Sequence, residues 1–129
     1  MGDVIQSNGR IRLFRILFIV FAWGLVACIG LQTFTAGMAV FYDAEHWRQH
    51  EIFVHIFGYV PLLMLLFAFP AQLPKRLKWM SLALFLLIYL QYFTANMPAA
   101  GAFHPVMALV LIVLALQVAR SAQARFRTE

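Results

Sequence analysis

The sequence predicts an all-α integral membrane protein, an up-down-up-down bundle of four transmembrane helices forming one domain over residues 1–129. Three observations carry that expectation. The first is composition: of 129 residues, 64% are hydrophobic and 12% charged, with a mean hydropathy of +0.82. A soluble domain holds roughly 25% charged and 45–50% apolar residues, and so large an apolar excess cannot be hidden in one small core. A soluble enzyme, a nucleic-acid-binding module and a disordered tail are thereby excluded. The second is the presence of four uncharged apolar stretches near the length of about 20 residues that a spanning helix needs. The third is the segregation of positive charge between alternate connections.

In order along the chain, the spans are Ile16–Phe34, Ile52–Ala71, Trp79–Ala95 and Phe103–Ala119. A polar loop (Asp43–Glu51), a tight basic turn (Leu73–Lys78) and a Pro/Gly/Ala loop (Asn96–Ala102) connect them. Connections this short favour antiparallel neighbours. Arg10, Arg12 and Arg15 precede the first span, Lys75, Arg76 and Lys78 join the second to the third, and Arg120, Arg125 and Arg127 follow the fourth. Nine of the ten Lys and Arg residues thus fall on one side, leaving Arg48 on the other with Asp43, Glu45 and Glu51. The positive-inside rule makes the basic side cytoplasmic, with both termini on it. The net charge of +5 is therefore read as a topology signal and not as a nucleic-acid signal. The arginines, apolar run and Ala36-Gly-Met-Ala39 also resemble a secretory signal peptide, but the run is long for one and its end recurs later in the chain. Cys28, the single cysteine, lies mid-helix and reads as a small packing residue.

That recurrence is an internal repeat. Leu31-Gln-Thr-Phe-Thr-Ala-Gly-Met38 matches Leu90-Gln-Tyr-Phe-Thr-Ala-Asn-Met97 at six of eight positions, and Leu25 and Ile29 align with Leu84 and Ile88. The first and third spans run in the same direction, so the expected architecture is two parallel two-helix repeats about an axis along the membrane normal. The second and fourth spans then correspond, and each carries a histidine near its start, His55 and His104. At a 1.5 Å rise per residue, Gln32 lies roughly 25 Å above Arg15, Gln91 about 20 Å above Lys78, His104 about 24 Å above Arg120 and His55 roughly 30 Å above Lys75. All four fall in one polar layer, in the outer third of the bilayer.

Polar groups at membrane depth are costly and tend to face the bundle interior. Gln32 and Gln91 suit hydrogen bonds between helices. His55 and His104, on diagonal helices at similar depth, form a ligand pair, and bundle cores hold cofactors between facing helices. Histidine is a common axial ligand of haem iron, so the pair is read as holding a haem b near the outer face. Gln32 and Gln91 would lie beside it, Gly58 would leave room for a porphyrin face, and Arg48 would reach its propionates. The flanking aromatic and methionine side chains are as readily ordinary membrane packing. Pro105 suits the first turn of the fourth span, and Pro61 is expected to kink the second.

The pattern Leu31-Gln32…Phe34…Ala36-Gly37, His55 with a glycine soon after, Leu90-Gln91 and His104-Pro105 resembles a group of small bacterial four-helix membrane proteins of unassigned function. It is also similar in architecture to one four-helix half of haem A synthase, whose second and fourth helices carry histidines that hold a haem b toward the outer face. The first resemblance implies a multi-pass protein of the bacterial inner membrane. The second implies haem binding by His55 and His104, and a carboxylate role for Glu51, four residues before His55 where that family's spacing is three. That family's histidine is normally followed by Arg, where Ile56 stands here, and it has two such halves.

Two other readings stay open. His46 and His50, spaced i, i+4, could join Glu51 and His55 in a copper or zinc site at the outer loop. Alternatively the polar layer only fixes helix packing in a cofactor-free accessory subunit. The haem reading implies electron transfer or haem handling with a quinone or a membrane oxidoreductase. Small residues along the first span (Gly24, Ala27, Cys28, Gly30) would suit a homo-oligomer or internal packing. No nucleophile–base pair or phosphate-binding glycine loop is present, so enzyme activity rests on resemblance alone.

Overall fold

The computed structural model describes residues 2–128, with side chains from residue 8 onward. The described residues form five α-helices and no strand: α1 (Gly2–Phe41), α2 (His46–Phe57), α3 (Val60–Ala68), α4 (Lys75–Asn96) and α5 (Phe103–Arg127). Four helical segments are long and apolar enough to cross a membrane, Asn8–Phe41, His46–Ala68, Lys75–Asn96 and Phe103–Arg127. The second of these is α2 and α3 together. Each segment is longer than the apolar stretch that marks it in the sequence, although the second stops at Ala68, three residues before that stretch ends. The flanking residues are mostly straight-chain or basic and favour helix, and their charged heads reach water while their stems lie along the bundle.

The helices form a ring. α1 packs on α2, α3 and α5, and α4 packs on α3 and α5. The first and third spans are therefore diagonal, as are the second and fourth. The core between them is built from a recurring set of buried positions. Phe18, Ala22, Leu25 and Ile29 of α1 stand to Leu77, Ser81, Leu84 and Ile88 of α4 as Gln32 stands to Gln91, and all eight are buried. Likewise Phe57, Pro61, Met64 and Ala68 stand to Leu111, Ala115, Val118 and Ala122 as His50 stands to His104, and these eight are buried too. Each series steps by three or four residues, the stripe by which a helix presents one face.

Two features of the second span depart from a straight helix. It breaks at Gly58 and Tyr59, just before Pro61, which cannot donate to the helical ladder. It ends in a Schellman motif, with Leu73 N–H donating to Ala68 O and Gln72 N–H to Phe69 O, each at 3.0 Å. Gln72 holds the left-handed position of that motif at φ 52°, where glycine is usual. A Cβ there costs roughly 1–2 kcal/mol. Gln72→Gly is accordingly expected to stabilise the protein by about 1 kcal/mol, read as a higher unfolding midpoint in a detergent titration.

The basic turn read in the sequence is largely helical. Pro74 caps α4 in extended conformation, so Lys75, Arg76 and Lys78 occupy its first turn, where the helix dipole disfavours cations. Lys78 offsets this by placing its ammonium over the Phe69 ring at 4.6 Å. The polar loop is shortened in the same way. α2 begins at His46, after a turn closed by Glu45 N–H donating to Asp43 Oδ1 at 2.8 Å. At the same end as the basic turn, Arg15 Nε–H donates to Ala71 O at 2.9 Å and Trp23 Nε1–H to Gln123 Oε1 at 3.0 Å.

Candidate functional site

The site lies where α1 ends, α2 begins, α4 ends and α5 begins. On α1, Gln32 and Thr35 are one turn apart and share a face. Gln32 Nε2 donates to His50 O on α2 at 2.9 Å, and its own carbonyl lies 3.0 Å from His50 Nδ1. Thr35 Oγ1 donates to that carbonyl at 2.8 Å and lies 3.2 Å from the same Nδ1. The histidine is therefore clamped at its backbone and its ring by one turn of the neighbouring helix.

The same clamp is built a second time. Gln91 and Thr94 of α4 are buried. With its amide oriented to satisfy both ends, Gln91 Nε2 lies 3.0 Å from His104 O and 3.1 Å from His104 Nδ1, and Gln91 Oε1 accepts from Ala108 N–H at 3.0 Å. The Gln91 carbonyl lies 3.1 Å from His104 Nδ1 and accepts Thr94 Oγ1–H at 3.1 Å, while Thr94 Oγ1 lies 3.3 Å from Nδ1. The clamps differ at the glutamine amide: Gln32 Oε1 is buried without a hydrogen-bond partner, whereas Gln91 Oε1 reaches Ala108 N–H in the second turn of α5 and Gln91 Nε2 also lies against His104 Nδ1.

This arrangement selects a tautomer. In the first clamp both groups facing Nδ1 are acceptors, a carbonyl oxygen and a hydroxyl whose proton is already given to that carbonyl. The ring proton therefore sits on Nδ1, and Nε2 keeps its lone pair. The second clamp repeats the carbonyl and hydroxyl but adds the Gln91 amide nitrogen, a donor, 3.1 Å from Nδ1, so the tautomer selection is that of His50 alone. A ring held through Nδ1–H on a backbone carbonyl is the usual state of a metal-ligating histidine. The two rings lie together, with centroids 6.4 Å apart and planes at 59°. Trp47 stands edge-on to His50 at 5.5 Å.

The sequence-predicted residues divide accordingly. His104, Gln32 and Gln91 are in the clamps, and the histidine ring beside His104 is that of His50. His55 faces outward, with Nδ1–H on Glu51 O at 2.6 Å and its ring against Tyr92 at 5.2 Å. Five helical positions separate His50 from His55, about 500° of rotation, so the two cannot share a face. His46 turns to Gln49 Oε1 at 2.7 Å, and Arg48 and Glu51 are exposed. Among the described residues no three His, Cys, Asp or Glu side chains gather where a metal could be held, so His46, His50, Glu51 and His55 do not converge.

Gly58 does not open a space. A Cβ there would stand 2.8 Å from Val54 O and 3.3 Å from the Tyr92 hydroxyl, so its bareness lets α4 pack closely on the break in the second span. Gly58→Ala is expected to cost about 1–3 kcal/mol by overpacking, seen as a lower unfolding midpoint. Sequence reasoning missed Thr35 and Thr94 as site residues, although both lie inside the repeated octet.

No curated protein and no solved structure matches the chain. A family model described as a family of unknown function (DUF6220) matches residues 32–100, from the first clamp glutamine past the second clamp threonine, with His104 beyond the match. More than half of the chain is covered, and the protein belongs to the DUF6220 family.

Proposed function

We propose that this is a small b-type haem-binding membrane protein in which His50 and His104 are the axial ligands, serving electron transfer or haem handling. The observation that carries the reading is the pair of clamped imidazoles. Histidine nitrogens bind a metal at about 2 Å and a ring centroid lies about 1.1 Å behind its bonding nitrogen. Two imidazoles on opposite sides of one ion therefore stand about 6 Å apart, against 6.4 Å here. His50 keeps an Nε2 lone pair, His104 would offer the same nitrogen when bound, and two nitrogens of this kind are the donor set of a six-coordinate haem iron. Bound haem would supply one-electron chemistry at this end of the bundle. The resemblance to one half of haem A synthase points to the same cofactor, with the axial role moved from His55 to His50.

The bundle is read as two parallel two-helix repeats, supported by the doubled clamp and by the recurring buried positions. Both termini are assigned to the cytoplasmic side of a bacterial inner membrane, because nine basic residues lie toward that end. The site then sits near the outer face. The test is the visible spectrum of protein purified after expression with haem supplied. A Soret band, with sharpened α and β bands on reduction, is expected at one haem per chain. A colourless protein overturns the reading, and one copper per chain in its place would assign the same pair to two-coordinate Cu(I).

A further inference from the structure

The repeated architecture makes each half a control for the other, and one seam departs from its counterpart. With His50 aligned to His104 and Gln32 to Gln91, the seam between the second span and α4 carries Glu51, His55, Tyr59, Tyr92 and Asn96. The equivalent positions on α5 and α1 are Pro105, Leu109, Val113, Thr33 and Gly37. Those two helices pack on each other as the second span packs on α4. The scaffold is thus complete with a nearly apolar seam, and helix packing does not call for the polar set. A histidine exposed on a lipid-facing surface is costly, and here it stands in the third turn of a spanning segment.

We propose that this seam binds the headgroup of a quinone arriving laterally from the bilayer, an inference that rests on the haem reading of the His50–His104 pair. His55 donates Nδ1–H to Glu51 O, which leaves Nε2 as an acceptor facing outward. The His55 ring meets Tyr92 edge-on at 5.2 Å, and the Tyr92 hydroxyl lies against the Gly58 break. Among the described residues the Tyr92 hydroxyl has no hydrogen-bond partner, so its proton is free for a ligand. One acceptor, one donor and two aromatic rings at a lipid-accessible seam suit a flat ring bearing two oxygens. His55 is five residues inward of His50, about 7.5 Å along the helix, so an occupant would lie within electron-transfer reach of the clamped pair.

The test is equilibrium binding of a decyl-tailed benzoquinone to the haem-loaded full chain in nanodiscs, followed by quenching of intrinsic fluorescence and with the visible spectrum recorded on every sample. Saturable binding to the wild type, weakened about five- to tenfold by His55→Leu and by the more conservative Tyr92→Phe, with the Soret band unchanged, is the expected result. His55→Leu copies the residue at the equivalent position 109 and Tyr92→Phe removes one oxygen, so neither asks the fold for anything new. Absence of saturable binding to the wild type, or equal affinity in both variants, overturns the proposal while leaving the haem reading intact. Loss of the Soret band in His55→Leu also overturns it, by making His55 an iron ligand. A wild type without any Soret band is the separate failure of the haem reading.

Discussion

Protein carrying His104→Ala or His50→Ala, produced with haem supplied, is expected to lose the reduced α band and most of its Soret absorbance, while His55→Ala keeps both. On the proposed reading each clamped imidazole would provide one Nε2 to a shared ion, so removing either would leave the site short of a ligand or empty. His55 turns its ring to Tyr92, away from that pair. The measurement is a reduced-minus-oxidised spectrum normalised to protein. Unaltered spectra in either of the first two variants would refute the axial assignment. A milder pair, Thr35→Val and Thr94→Val, should keep haem but change its reduction potential. Each removes a partner that lies 3.2–3.3 Å from Nδ1, and outer hydrogen bonds of this kind tune ligand basicity.

The largest effect on stability is expected from Phe18→Ala. Phe18 is fully buried on the core stripe of α1, near the end of the bundle opposite the histidines. Truncation of a core phenylalanine costs about 3–5 kcal/mol when the surroundings cannot collapse. Phe18 also borders a small cavity with Arg15, Ile19, Leu73 and Ala122, so the void would add to space already present. Two residues on, Val20 is 59% exposed and faces lipid. Val20→Ala is therefore the control and should change stability by about 0.5 kcal/mol or less. Detergent unfolding titrations of both variants check this, and equal midpoints would contradict the core assignment.

The spans and the glutamine repeat were legible because their signals are local. Twenty uncharged residues mark a helix in any membrane context, and Leu31–Met38 against Leu90–Met97 is a direct string match. The pairing of His104 was not legible, because register in the second half is carried by Phe57, Pro61, Met64 and Ala68 against Leu111, Ala115, Val118 and Ala122. Those pairs share burial, with identity only at the last of them. Placing the loop at Asp43–Glu51 also put His50 outside the second span, whereas the turn ends by Glu45 and the spanning segment takes it in. The threonines were visible in the repeated octet, but their role depends on a one-turn hydroxyl-to-carbonyl bond that no pattern of hydrophobicity reports.

The doubled clamp has an evolutionary consequence. A hairpin with one Gln-x-x-Thr turn and one histidine, self-associating about a two-fold axis, would by symmetry assemble both ligands of a shared ion. Fusing two such hairpins into one chain would relax the requirement that both seams be identical. One seam could then stay greasy while the other diverged toward His55 and Tyr92. On that view duplication supplied a spare surface, free to acquire a partner while the paired histidines stayed under their original constraint.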